Sequence, residues 1–271
     1  MDLRGALACR RSIRCFAGVV IAVATCGVAV RPALAQSGHY VDFATDYSPV
    51  AIGAADQTWR TARLSAGLFD EGHAGWSVGV ERQQRERLVD WGGSVRGFRR
   101  QGDWTISGGV GLGADPSFSY RRSLEGEVAR TVVGTLVAHG GYRLLTFQTA
   151  TVHLIQPGAT LYRSRGEIGA RYFVVRNATR NTTTGTLLVQ GTVTAHARLR
   201  LGGGAAFGER IFDVAALSTP NASAWVGFGY AHVLVTPQWS VDAGLGRAHE
   251  DPLFAQRTFT LSIRRMFGGR P

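Results

Sequence analysis

From about residue 57 to Phe267 the chain repeats a two-residue rhythm. Trp104, Ile106, Gly108, Val110 and Leu112 alternate with Thr105, Ser107, Gly109, Gly111 and Gly113. Leu199, Leu201, Gly203, Ala205 and Phe207 alternate with Arg198, Arg200, Gly202, Gly204 and Ala206, and Trp239, Val241, Ala243 and Leu245 with Ser240, Asp242, Gly244 and Gly246. Successive side chains of a strand point to opposite faces, so each segment is a strand with one apolar face and one polar or small face. The segments fall near 39–47, 57–69, 73–86, 88–100, 103–113, 119–130, 134–145, 149–162, 166–176, 185–195, 198–208, 223–235, 238–248 and 256–267. That makes about fourteen, an even number as single-chain bacterial barrels have, with twelve the alternative if two short pairings are miscounted.

A β-sandwich also alternates. Two features favour a closed antiparallel transmembrane β-barrel. Most segments exceed the usual length of a globular strand and approach what a tilted strand needs to cross a bilayer. Their polar faces are rich in Gly, Ser, Thr, Arg and Glu, which suits a wet lumen. No apolar run is long enough to span as a helix. Trp59, Trp76, Trp91, Trp104, Trp225 and Trp239 fall near strand ends, where rings form interfacial girdles.

The start of the chain supplies the route to such a location. Arg4, Arg10, Arg11 and Arg14 precede an uncharged apolar stretch from Cys15 to Val30, then Pro32 and Ala33-Leu34-Ala35. This is the grammar of a cleavable signal peptide over 1–35, leaving one barrel domain over 36–271. Cys9, Cys15 and Cys26 all lie in that leader, so the mature chain holds neither a disulfide nor a cysteine metal site.

The net charge is +11, and every Lys+Arg position is Arg. These arginines are scattered over strands and strand ends, not gathered on one helix or tail, which argues against nucleic acid as a partner. Guanidinium groups at loops and rims suit lipopolysaccharide phosphates instead. Outer-membrane lipid, lipopolysaccharide and the barrel-assembly machinery are the expected partners of a monomer. No cofactor and no metal are expected.

Connections alternate in length. Asp70-Glu71-Gly72, Gln101-Gly102-Asp103, Ser164-Arg165 and Thr236-Pro237 are short, whereas 48–56, 114–118, 177–184, 209–222 and 248–254 are long. Short turns belong to the periplasmic side and long loops to the exterior. The Asn-x-Ser/Thr triplets at Asn177, Asn181 and Asn221 read as loop composition.

Turning the polar face inward gives a candidate lumen lining: Arg63, Glu81, Arg96, Glu125, Glu127, Arg143, Glu167, Arg171, Arg198, Arg200, Asp242 and Arg264, with Asp90, His139, His153 and His196 on the same face. Near-equal numbers of the two signs favour a ladder of paired charges over an open anion track. No G-x-S-x-G motif, phosphate loop or dinucleotide glycine motif occurs, and His73, His232 and His249 have no evident Ser–acid partner by spacing. A non-enzymatic barrel is therefore expected. Its alternatives are a lipid-modifying acyl hydrolase or transferase and a passive anion-preferring porin.

Several short motifs resemble the YaiO-type outer-membrane β-barrel family. They are His39-Tyr40-Val41, the segment carrying Trp76, Gly79, Val80, Glu81, Arg85 and Arg87, Gly140-Gly141-Tyr142-Arg143 with Thr146-Phe147, Pro157-Gly158, Ala170-Arg171-Tyr172-Phe173, and Leu199 to Gly204. The resemblance covers most of residues 36–271. It implies an outer-membrane barrel of a Gram-negative bacterium without catalytic residues, with a link to surface polysaccharide export; the inward Arg and Glu on a glycine-rich face add the expectation of a structural or transport role with a polar or glycan substrate. One departure is the C-terminus. Such barrels end on an aromatic residue, but here Gly268-Gly269-Arg270-Pro271 follow Phe267.

Overall fold

A computed structural model describes residues 38–70, 73–209, 223–250 and 254–268. The expected leader and the long 209–222 connection fall almost wholly outside these residues. The described chain is all-β, and no helix in it is long and apolar enough to cross a membrane.

The strands are β1 (Gly38–Ile52), β2 (Ala55–Asp70), β3 (Ala74–Arg85), β4 (Leu88–Gln101), β5 (Trp104–Ala114), β6 (Arg122–Val133) and β7 (Leu136–Thr146). They continue as β8 (Thr151–Arg163), β9 (Gly166–Asn177), β10 (Thr182–His196), β11 (Leu199–Glu209), β12 (Ser223–Leu234), β13 (Trp239–Glu250) and β14 (Phe254–Phe267). Each pairs with its sequence neighbours, and β1 pairs with β14, so the sheet closes into a 14-stranded antiparallel barrel. Closure leaves no edge strand with unpaired backbone groups, which is what permits a sheet to sit in hydrocarbon.

The alternation is the inside–outside code of this wall. Phe43, Leu64, Val80, Val95, Val110, Leu124, Ile155, Ile168, Val189, Leu245 and Leu261 all point outward and are exposed. At the ends of this apolar band stand Trp76, Trp104 and Trp239 on one side and Tyr47, Trp91 and Trp225 on the other. Trp59 departs from the expected girdle. It points inward and is 2% exposed, because it belongs to the odd-numbered, lumen-facing phase of β2.

Both chain ends of the sheet lie at one end of the barrel with the turns 102–103, 134–135, 164–165, 197–198 and 235–238; we call this the turn end. The opposite loop end carries 115–121, 147–150 and 178–181. One expected loop is absent. The chain between Ser48 and Asp56 is mostly strand, and only Gly53 and Ala54 turn, with Gly53 at φ +58°. Pro49 sits inside β1, where the ladder to β14 skips Ser48 and Pro49. Proline has no N–H to give, and an interrupted rung is where a strand tolerates it. Pro157 in β8 is accommodated the same way, opposite a gap in the ladder to β9.

Candidate functional site: a charged belt in the lumen

The inward faces of eleven strands each supply a charged or titratable side chain to one belt around the lumen. Arg63 Nη2 lies 2.7 Å from Glu81 Oε2. Glu125 takes Arg96 Nε at 2.6 Å and Arg143 Nε at 3.5 Å, one on each carboxylate oxygen. Arg171 grips Glu127 with both terminal nitrogens, at 2.7 and 3.3 Å. Arg200 pairs with Glu167 at 3.3 Å, His232 Nδ1 with Asp242 Oδ1 at 2.6 Å, and Arg264 Nε with Asp42 Oδ2 at 3.2 Å. The last pair joins the first strand to the last, across the seam that closes the barrel.

Strands β5, β8 and β10 supply no charge to the belt, and at each of them a pair passes over the strand. Arg96 on β4 reaches Glu125 on β6 above Gly109 of β5. A Cβ at Gly109 would come within 2.8 Å of Arg96 Cγ and 3.0 Å of Glu125 Oε1. Arg171 on β9 reaches Glu127 on β6 across β7 and β8. A Cβ at Gly158 of β8 would lie 2.8 Å from Arg171 Cγ and 2.6 Å from the Ala170 carbonyl oxygen. Arg200 on β11 reaches Glu167 on β9 past Thr192 of β10, donating to its Oγ1 at 3.1 and 2.7 Å on the way. Small wall residues thus let long charged side chains lie flat along the lumen.

The belt is wet. The Arg96 side chain is 48% accessible, and those of Asp242 and Arg264 are 30% and 29% accessible. Pairs of this kind are screened and contribute little to stability, but their charges act directly on whatever occupies the lumen.

The loop end of the lumen is built differently. Residues 115–121 fold inward over the space between β4 and β8. The Asp90 carboxylate, 2% exposed, accepts the backbone N–H groups of Ser117 at 2.8 Å, Phe118 at 2.9 Å and Ser119 at 2.7 Å. Arg85 is clamped between two rings, 4.6 Å from the centre of Trp59 and 4.2 Å from that of Phe118. Gln148 donates its side-chain N–H to the Pro116 carbonyl. Leu145, Val152 and Leu154 pack beside this loop, with Tyr120 and Phe147 against them. Burial, and then the charge of Glu81, push the Tyr120 phenol up, so it stays protonated. A second apolar cluster of Phe173, Leu188, Ala206, Ala224 and Ala248 lines the other half of the wall, with Phe228 and Phe254 against it.

Eleven of the twelve candidate residues lie on the belt just described; Arg198 does not. It occupies the exposed turn between β10 and β11, where its N–H donates to His196 Nδ1. His153 also departs from its expected face. It points outward, where its Nδ1 meets the Tyr142 hydroxyl at 2.7 Å, because inward positions of β8 are the even-numbered Val152 and Leu154. His232, for which spacing showed no acid, has Asp242 directly across the hairpin. Asp42, the Asp90 anchor and the Arg85 clamp were missed as partners. Among the described residues no group of three metal-ligating side chains occurs.

No family model matches the chain, and no curated protein matches it by sequence. Solved structures do match. The Acinetobacter baumannii outer membrane protein Omp33 aligns at 13% identity over 86% of this chain and 100% of its own, with a TM-score of 0.52. A loop-L8 deletion form of OmpT, an outer membrane protein of Vibrio cholerae, aligns at 12% identity over 86% and 99%, with 0.51. The KdgM porin in complex with disordered oligogalacturonate aligns at 10% over 83% and 99%, with 0.50. At such identities the likeness is one of fold: the chain has the closed antiparallel β-barrel fold of bacterial outer-membrane proteins.

Proposed function

We propose that this protein is an outer-membrane barrel of a Gram-negative bacterium that passes small polar solutes through a narrow, charge-belted lumen, without catalysis. The observation that carries the reading is the belt itself: a water-accessible ring of opposite charges around the inner wall, below a mouth narrowed by an inward-folded loop. Paired charges make the lumen polar without giving it a strong sign, so small neutral or weakly charged solutes, sugars among them, are the class it fits. One porin among the neighbours in fold was solved in complex with oligogalacturonate, and the YaiO-type motifs lean towards surface glycans; both support a sugar as the solute.

Among the described residues the His232–Asp242 pair is the arrangement that favours an enzyme, since a carboxylate orients the imidazole as in acyl-transfer sites. It faces the lumen, however, on the opposite side of the wall from acyl chains, which weighs against lipid modification. Single-channel recording of the refolded protein in a planar bilayer tests the reading. Discrete small steps with weak ion selectivity are expected, and Arg171→Glu should bias them towards cations. A silent bilayer, from protein whose gel migration shifts on heating as a folded barrel's does, would overturn it.

A further inference from the structure

At its loop end the outer face of β13, β14, β1, β2 and β3 carries four arginines, and Asp56 at the rim of β2 is the one outward acid of these strands there among the described residues. Arg247 on β13 and Arg257 on β14 are direct cross-strand partners, both outward and exposed. Beyond β1 the strip continues with outward Arg60 on β2 and Arg82 on β3. Like charges placed opposite one another on a sheet destabilise it unless something neutralises them. Among the described residues no carboxylate does so here. Of the outward acids of these strands, Asp70 sits at the turn end of β2, and Asp56 sits at its loop end beyond Arg60 without an ion pair to the strip. Inside the lumen, by contrast, each belt arginine has an acid.

Aromatic side chains frame the strip. Arg247 lies 5.8 Å over Trp225 and Arg60 5.8 Å over Tyr47, and Arg82 faces Trp91 across the β3–β4 pair. Directly towards mid-membrane the same strands present Leu245, Phe259, Phe43, Leu64 and Val80, all exposed. Fixed cations above a tryptophan–tyrosine girdle and an apolar wall match a lipid with a phosphorylated headgroup and several acyl chains.

We infer that the outer face of β13, β14, β1, β2 and β3 is a binding site for a phosphorylated glycolipid of the outer leaflet, with Arg247 and Arg257 jointly holding one phosphate and Arg60 and Arg82 the neighbouring anionic group. The inference rests on the outer-membrane reading. It does not require that the lumen conduct.

The test uses the mature barrel in phosphatidylethanolamine–phosphatidylglycerol vesicles, with and without lipopolysaccharide, and reads the temperature at which the folded gel band is lost. Lipopolysaccharide should raise this temperature. Arg247→Gln with Arg257→Gln should weaken glycolipid binding about tenfold or more, the loss expected for charge-assisted contacts, and abolish most of the rise. Arg130→Gln with Arg265→Gln, outward arginines at the turn end, should leave it intact. Free inorganic phosphate and dephosphorylated glycolipid should give no rise. An equal rise in the Arg247/Arg257 variant, or with the dephosphorylated lipid, overturns the site. If that variant does not fold, Arg60→Gln with Arg82→Gln takes its place under the same criteria. A barrel that binds glycolipid but never conducts overturns the transport reading alone.

Discussion

The belt and the mouth of this barrel use the same residue types for different ends. In the belt, Arg96, Arg171 and Arg264 meet carboxylates in partly open water. At the mouth, Asp90 is buried and spends its carboxylate on three backbone N–H groups, while Arg85 is held by two aromatic faces. A solvated ion pair changes stability by less than about 1 kcal/mol. A buried carboxylate that satisfies backbone donors is costly to remove, because those donors are then left unpaired. The mouth charges therefore shape the chain, and the belt charges shape the field in the lumen.

Three substitutions would break or sharpen that contrast. Asp90→Ala should have the largest effect, a loss of about 3–5 kcal/mol from three orphaned donors. It should free residues 115–121, so trypsin cleaves at Arg121 and channel steps grow larger; an unchanged digestion pattern would remove the anchor role. Gly158→Val comes next. Its added methyl groups meet the Ala170 carbonyl and the Arg171 stem, costing about 1–3 kcal/mol. A lowered unfolding midpoint in urea is expected, together with loss of the Arg171–Glu127 grip. Glu127→Gln should be the mildest for stability, under about 1 kcal/mol, yet it leaves Arg171 uncompensated. The reversal potential in a salt gradient should then move towards anions. A large fall in stability without that movement would place Glu127 with the mouth residues instead.

Much of the belt can be read by folding each hairpin about its turn. Arg63 and Glu81 stand at equal distances from Gly72, Glu125 and Arg143 from Gly134, and His232 and Asp242 from Pro237, and each pair is a direct cross-strand partner. The His232 pairing was thus available from spacing, although no acid stood near it in sequence. The pairs Arg96–Glu125, Arg171–Glu127 and Arg200–Glu167 were not, because each joins strands that are not neighbours, over Gly109 of β5, over β7 and Gly158 of β8, and past Thr192 of β10. Trp59 misled because a tryptophan near a strand end fits a girdle and an inner clamp equally well, and only its phase decides. His153 misled because the inward phase of β8 turns apolar near the mouth, with Val152 and Leu154.

The strands, the inside–outside phase of most of their residues, the even strand number and two nearly balanced sets of charges are legible along the chain. These follow from local rules: a side-chain period of two, and turn residues that limit each hairpin. Which charges meet across non-adjacent strands, the seam closed by Asp42 and Arg264, and the inward turn of the 115–121 loop onto Asp90 emerge on folding. The physical reason is closure. Joining β1 to β14 curves the wall and brings side chains together across its inner surface, and no reading along the chain contains that curvature.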